Sequence, residues 1–98
     1  MNNVNESSPL AKLDAIIEQR LIEPKSGYTD ELLADSNKRM KKIGEESAEL
    51  IVACVQGDKE SVAGEAADLF YHILVAIRGV GVTFNDVENI LKQRNKSK

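Results

Sequence analysis

The amino-acid sequence predicts an all-α fold, an antiparallel bundle of three to four main helices that is completed by dimerisation. Apolar residues recur at spacings of three and four, and capping or helix-breaking residues separate these segments. We find no segment with the alternation of a convincing strand. We therefore assign residues 9–94 of the 98 to a single all-α domain, residues 1–8 to a flexible N-terminus and residues 95–98 to a flexible basic tail.

The first helix is expected to begin at Ser8-Pro9, an N-cap serine followed by a proline in the first turn. It should end at about Ile22 or Glu23, because Pro24 follows. Its inward face is expected to consist of aliphatic residues at helical spacing: Leu10, Leu13, Ile16, Ile17 and Leu21.

The next segments are a loop over residues 24–28, a short helical piece capped by Thr29, and a polar break over residues 35–37. A second long helix is expected from Asn37 to the residue before Gly57, because glycine is common just after a helix end. Gly57 and Asp58 then leave room only for a tight turn, so the second and third helices should be antiparallel neighbours.

The third helix is expected over about Lys59 to Arg78 behind the cap Asp58, and its second half is apolar nearly all round. Four helices of one short chain cannot easily cover such a helix, so we expect a second subunit to do so. Residues 79–81 end it, and Thr83 with Asp86 resembles the capping box of a last helix. Three residues of that helix are expected to face inward: Val87, Ile90 and Leu91.

Two groups of acidic residues interrupt the apolar pattern: Glu45, Glu46 and Glu49 form the first, and Glu65 and Asp68 the second. Helical spacing places the members of each group near one another on a helix face. The predicted turn before the third helix would bring both groups to nearly matched heights on adjacent helices. Four or five carboxylates could then converge on a hard divalent cation such as Mg²⁺.

A solvated acidic stripe is the alternative interpretation, because most charge clusters on helices lie at the surface. Like charges at helical spacing cost about 0.2–0.5 kcal/mol per pair, and an unpartnered buried carboxylate costs several times more. Since Glu65 and Asp68 belong to the helix expected to be most buried, a bound cation is the more economical explanation.

Basic residues immediately precede the first acidic group, and they have two interpretations. Lys38, Arg39, Lys41 and Lys42 could hold phosphate oxygens that the metal also contacts. Alternatively, Lys41 and Lys42 form i,i+4 ion pairs with the glutamates that follow them.

The composition excludes several other kinds of site. The single cysteine, Cys54, allows no intrachain disulfide, and one histidine, His72, leaves no zinc ligand set of Cys and His type, so a cytoplasmic location is expected. We find neither a membrane span nor a secretion signal, and the net charge of −3 argues against nucleic acid as a partner. His72 itself is either a partner of Asp68 or, more commonly, a core histidine satisfied by a carboxylate or carbonyl.

These residues together resemble a known family. The runs Lys42-Ile43-Gly44-Glu45-Glu46-x-x-Glu49 and Glu65-Ala66-Ala67-Asp68-Leu69-Phe70-Tyr71-His72, preceded by Gly27-Tyr28-Thr29, resemble the phosphoribosyl-ATP pyrophosphohydrolases of histidine biosynthesis. That family belongs to the MazG-like all-α nucleotide pyrophosphohydrolases. The EExxE and ExxD patterns are typical of the whole superfamily, whereas the KxGEE context and the Tyr-His run favour this member.

The resemblance implies Mg²⁺-dependent hydrolysis of 1-(5-phosphoribosyl)-ATP to 1-(5-phosphoribosyl)-AMP and pyrophosphate, with Mn²⁺ as a possible substitute. It implies that Glu46, Glu49, Glu65 and Asp68 are the metal ligands. Glu45 would be a further ligand or the catalytic group that accepts a proton from the attacking water. Substrate binding would fall to Lys42, Lys38, Tyr28 and Thr29. The implied partners are a small phosphoribosyl nucleotide and further copies of the chain, in a homodimer or higher homo-oligomer.

Two other functions are compatible with the same residues. A housecleaning nucleoside triphosphate pyrophosphohydrolase would use the same metal and break the same bond. A non-catalytic helical dimerisation module would leave both acidic groups as solvated surface. Metal binding separates the enzymes from the module, and substrate preference separates the two enzymes.

Overall fold

A computed structural model describes residues 8–96, which form five helices and contain no strand within that range. The helices are α1 (Pro9–Ile22), α2 (Tyr28–Ala34), α3 (Ser36–Gln56), α4 (Lys59–Arg78) and α5 (Phe84–Asn95). The predicted all-α class is confirmed. Of the two ends predicted to be flexible, residues 1–7 and 97–98 lie outside the described range, while Ser8 caps α1 and Asn95 is the last residue of α5.

Most helix ends fall where the local sequence places them. The Ser8 hydroxyl accepts a hydrogen bond from the Ala11 N–H at 3.3 Å, and Thr83 with Asp86 forms the predicted capping box at the start of α5. Gly57 ends α3 with a φ of 79°, a left-handed conformation that glycine adopts without steric cost. These ends were predictable because each depends on a few neighbouring residues.

The start of α2 and the break after it differ from the prediction. Gly27 is the N-cap residue, so Thr29 lies inside the helix rather than at its cap. The predicted polar break over residues 35–37 is reduced to Asp35, whose carboxylate accepts from the Lys38 N–H at 3.1 Å. That bond caps α3 and makes Ser36 its first residue.

Helix α4 is the centre of the molecule, since it packs against α1, α2 and α3. The α3–α4 hairpin is the most extensive of these contacts. On the other side of α4, the core is formed by four buried side chains, Ile17, Leu32, Leu74 and Val75, with partly buried apolar residues around them. The helix predicted to need cover therefore obtains much of it from three elements of its own chain.

The inward face of α1 is only partly as predicted. Ile17 is fully buried, but Ile16 and Leu21 are about half exposed. Asp14 is buried instead, because Arg78 at the end of α4 donates hydrogen bonds to both of its carboxylate oxygens, at 3.0 and 2.8 Å. Pairing with a guanidinium compensates the carboxylate for its lost hydration.

Several large apolar side chains remain exposed within the described residues. On the hairpin, Val55 is 83% exposed and Phe70 is 50% exposed. The residues of α5 predicted to face inward, Val87, Ile90 and Leu91, are also exposed. Val87 and Leu91 nevertheless line an apolar groove with residues of α1 and α4, so the predicted inward face of α5 is only partly formed in the single chain. None of the helices in residues 8–96 is long and apolar enough to cross a membrane.

Candidate metal centre

The α3–α4 hairpin brings acidic residues from two helices together. Glu46 and Glu49 of α3 and Glu65 of α4 each place one carboxylate oxygen within 4.8 Å of the other two. The turn between the helices makes this possible, since Gly57 ends α3 and Asp58 caps α4 directly afterwards. The expected approach of the two acidic groups is thus observed for these three residues.

The electrostatics of this cluster favour a cation. Glu46 is buried, and the Oε1 atom of Glu65 is shielded from solvent with no hydrogen-bond partner within residues 8–96. The pKa of Glu65 is raised, first by burial and then by the negative charges of Glu49, Asp68 and Glu46. An unpartnered buried oxygen among carboxylates is costly, and an all-oxygen donor set is what Mg²⁺ prefers. The residues therefore fit a magnesium ion.

Asp68 lies at the edge of the cluster. It is exposed and is not one of the three residues whose oxygens approach within 4.8 Å, although its charge contributes to the raised pKa of Glu65. Asp68 follows Glu65 by three residues on α4, so both project from neighbouring positions of the helix surface. The structure thus brings together three of the four predicted metal ligands and leaves the fourth next to them.

Glu45 points toward the lysines rather than into the cluster. It lies 3.4 Å from the Lys42 Nζ and 4.0 Å from the Lys41 Nζ, while Lys42 also lies 3.7 Å from Glu46. Desolvation alone would lower the pKa of Lys42, but the effects of Tyr28, Glu45 and Glu46 outweigh it and the pKa is raised. The i,i+4 pairs considered from the sequence are therefore present. Such partly exposed pairs are weak enough for a phosphate group to displace.

The other two predicted substrate-binding residues of α2 are engaged with α4. The Tyr28 hydroxyl lies 2.9 Å from His72 Nε2, and the Thr29 hydroxyl lies 2.5 Å from the Tyr71 hydroxyl. Tyr28 keeps a partly exposed ring, whereas the polar group of Thr29 is already satisfied within the chain. These contacts place the first turn of α2 beside the acidic hairpin.

Lys38 lies close to the ring of Tyr28. Its Nζ atom is 5.5 Å from the centre of the Tyr28 ring and 2.8 Å from a carboxylate oxygen of Glu31. The hydrogen bond to Glu31 is the main reason that the pKa of Lys38 is raised. Lys38 and Lys42 thus supply positive charge on the side of the site where Tyr28 lies.

The position of Arg39 among the lysines had suggested that it binds phosphate. Its side chain has a different role in the structure. Its guanidinium is buried and donates hydrogen bonds to the carbonyl oxygens of Leu32 and Leu33, at 3.0 and 2.9 Å. These bonds satisfy carbonyls at the C-terminus of α2. Spacing gives a signal for this burial, because Arg39 lies seven and fourteen residues before Glu46 and Ala53, the other buried residues of α3.

An open groove of about 320 Å³ lies beside the carboxylates. Glu49 and Glu65 form part of its wall. The rest is lined by small, apolar or uncharged polar residues: Ala48, Val52, Ala53, Gln56 and Ser61. The groove provides space for a ligand next to the candidate metal position.

Comparison with known proteins identifies similar sequences over nearly the whole chain. A family profile described as phosphoribosyl-ATP pyrophosphohydrolase matches residues 10–95. The chain is 44% identical over 94 residues to the histidine biosynthesis bifunctional protein HisIE of Prochlorococcus marinus, covering 94% of this chain and 42% of that protein. It is 44% identical over 82 residues to HisIE of Vibrio cholerae, covering 83% and 39% respectively. The chain thus spans about two fifths of the length of these relatives.

Proposed function

The chain belongs to the phosphoribosyl-ATP pyrophosphohydrolase family, and from this membership we propose that it hydrolyses 1-(5-phosphoribosyl)-ATP to 1-(5-phosphoribosyl)-AMP and pyrophosphate. The bond broken joins the α and β phosphates. The observation that best supports the proposal is the convergence of Glu46, Glu49 and Glu65, with an unpartnered Glu65 oxygen, at a groove of ligand size.

In this proposal Glu46, Glu49 and Glu65 would hold Mg²⁺, with Asp68 as a fourth ligand from the edge of the cluster. The ion would neutralise charge on the phosphate oxygens and lower the pKa of the attacking water. Lys42 and Lys38 would bind the phosphates from the side of α2, each exchanging an exposed glutamate partner for a phosphate oxygen.

We assign Glu45 the role of accepting the proton of the attacking water. Its carboxylate is 44% exposed, lies on the same turn of α3 as Glu46, and is not part of the cluster of three. It is therefore accessible to a water molecule next to the metal position. Water supplies the oxygen that bonds to phosphorus, and pyrophosphate leaves with the electrons of the broken P–O bond.

The substrate is tested by measuring pyrophosphate release from phosphoribosyl-ATP and from a panel of nucleoside triphosphates, with Mg²⁺ present. We expect kcat/KM to be at least about tenfold higher for phosphoribosyl-ATP, because the extra phosphoribosyl group adds contacts that a plain triphosphate lacks. A preference for the panel would replace the proposed substrate with that of a housecleaning enzyme.

The metal ligands are tested by calorimetry with Mg²⁺ and Mn²⁺ on the wild-type chain and on Glu65→Gln. We expect the variant to lose metal binding and to have a kcat/KM more than about 100-fold lower. Even changes to residues that only hydrogen-bond to metal ligands reduce metal affinity or activity by about 10–100-fold. Glu60→Gln, at an exposed position of the same helix, is the matched control and should bind metal normally. Glu45→Gln should keep metal binding and lose turnover.

Two results would contradict this assignment. The first is that the wild-type chain binds neither Mg²⁺ nor Mn²⁺, and that Glu49→Gln and Asp68→Asn leave pyrophosphate release unchanged. This result would favour a non-catalytic helical module. Loss of metal binding in Glu45→Gln would make Glu45 a ligand instead of the proton acceptor.

A further inference from the structure

The only histidine of the chain makes a hydrogen bond through each ring nitrogen. His72 is buried on α4. Its Nδ1 atom lies 2.8 Å from the backbone oxygen of Asp68, and its Nε2 atom lies 2.9 Å from the Tyr28 hydroxyl. The sequence interpretation of a core histidine satisfied by a carbonyl therefore describes one half of its environment, and Tyr28 supplies the other.

The chemistry of the two partners determines where the proton lies in the neutral ring. A carbonyl oxygen only accepts hydrogen bonds, so Nδ1 must carry the hydrogen in its contact with Asp68. In a neutral imidazole the other nitrogen then has no hydrogen and accepts one. The Tyr28 hydroxyl is consequently the donor to Nε2.

A second contact strengthens the orientation of Tyr28. The neighbouring residues Thr29 and Tyr71 are joined by their hydroxyl groups, and the rings of Tyr28 and Tyr71 stack with centres 6.3 Å apart. The Tyr71 ring also meets the His72 ring edge-on at 4.9 Å. Two consecutive residues of α2 are thus attached to two consecutive residues of α4.

We infer that His72 is a positioning residue, held as the Nδ1–H tautomer, which orients Tyr28 beside Lys38 and Lys42 at the candidate site. Tyr28 then has a different role from the one expected from the sequence. Its hydroxyl hydrogen is directed to His72 and is not available to a phosphate oxygen. Tyr28 therefore acts through its ring, which the Lys38 ammonium faces. The kinetic part of this inference rests on the proposed hydrolysis, whereas the tautomer does not.

The tautomer is tested by long-range ¹H–¹⁵N NMR of the full chain labelled with ¹⁵N-histidine, in mildly alkaline buffer. A single histidine makes the assignment unambiguous. We expect Nδ1 to be protonated and Nε2 to be unprotonated. Tyr28→Phe should shift the Nε2 resonance and leave Nδ1 protonated, while Tyr71→Phe, whose lost hydroxyl contacts Thr29, should leave Nε2 nearly unchanged.

The positioning role is tested by kinetics on two variants of different length. His72→Gln can present an amide oxygen to Tyr28, whereas His72→Asn is too short to reach it. We expect His72→Asn to raise KM about fivefold with little change in kcat, and His72→Gln to restore KM to within about twofold. Tyr28→Phe should raise KM similarly on its own and add little to His72→Asn, because both remove the same bond. Melting temperatures of all variants are measured alongside.

An Nε2–H tautomer in the wild-type spectrum would overturn the inference. Equal KM values for His72→Asn and the wild type, or additive effects of Tyr28→Phe and His72→Asn, would overturn the positioning role. A wild-type chain that releases no pyrophosphate would contradict the proposed function and the kinetic role together, and the spectrum would still decide the tautomer.

Discussion

At the scale of single residues, Gly79 is the glycine where an added side chain would meet the tightest packing, against Arg39. A Cβ atom at Gly79 would lie 2.4 Å from the Cζ and Nε atoms of Arg39. The guanidinium cannot move away freely, because it is buried and bonded to carbonyls at the end of α2. The absence of a side chain at this position is therefore a packing requirement.

We expect Gly79→Ala to destabilise the protein by about 1–3 kcal/mol, the usual cost of overpacking. Gly64→Ala is the matched control, since nothing lies within 4 Å of a Cβ at that position of α4. It should stabilise the protein by roughly 0.5–1 kcal/mol through helix propensity. Urea unfolding of both variants measures the difference. A Gly79→Ala protein as stable as wild type would mean that Arg39 moves without cost.

Residue-scale predictions from the sequence succeeded where spacing and one turn determine the geometry. The approach of Glu46 and Glu65 follows from helical periodicity and from the tight turn of the hairpin. Both features depend only on residues that are close together in sequence. The burial of Asp14 was missed, because its partner Arg78 is 64 residues away in sequence. Charged residues look like surface residues until a distant partner is known.

At the scale of elements, the hairpin depends on the cap of α4. The Asp58 carboxylate accepts hydrogen bonds from the N–H and the hydroxyl of Ser61, at 3.0 and 2.8 Å. These bonds lower the pKa of Asp58 below its ordinary value of 3.8. Most helix ends were predictable from the sequence, because a capping residue acts on backbone groups within one turn of it. The start of α2 was not, because Gly27 provides no side chain to mark the cap.

The cap of α4 gives a pH dependence with a definite sign. A carboxyl whose pKa is lower in the folded state contributes stability above its unfolded-state pKa, and loses that stability as the pH falls through the folded-state value. We expect the melting temperature of Asp58→Asn, which keeps an acceptor oxygen, to match wild type near neutral pH. Between about pH 5 and about pH 2, wild type should lose more stability than the variant. If the melting temperatures of the two proteins fell equally with pH over this range, the proposed contribution of Asp58 would be contradicted.

At the scale of the whole molecule, the described part of the chain leaves many large apolar side chains exposed. Among residues 8–96, thirteen large apolar side chains are at least 37% exposed. Ile51 and Val55 are exposed on α3, four residues apart, while Phe70 of α4 lines an apolar groove with Val87 and Leu91 of α5. We propose that a second copy of the chain covers the exposed side of α3 at Ile51 and Val55. The apolar pattern of α4 was the first reason to expect a second subunit.

Sedimentation equilibrium tests the proposed homodimer. We expect wild type to associate and Val55→Glu to raise the dimer dissociation constant at least about tenfold, because the change would bury an unpartnered charge. Gln19→Glu, at an exposed position of α1, is the control and should associate like wild type. A monomeric wild type at high concentration would refute the proposed assembly. A second subunit can be expected from the apolar pattern of the sequence. The face that it covers cannot, because that depends on how one chain packs.

The position of all the candidate ligands on one hairpin has a consequence for the order of folding. The candidate ligands lie between residues 46 and 68, on two helices that are joined by a two-residue turn. Little chain entropy is therefore lost when these helices meet. Docking of α1 instead joins residues far apart in sequence, such as Asp14 and Arg78, which are separated by 64 positions. Contacts between segments that are close in sequence are associated with fast folding. We therefore expect the carboxylates to be assembled in the folding transition state before α1 docks, so that changes in α1 mainly accelerate unfolding.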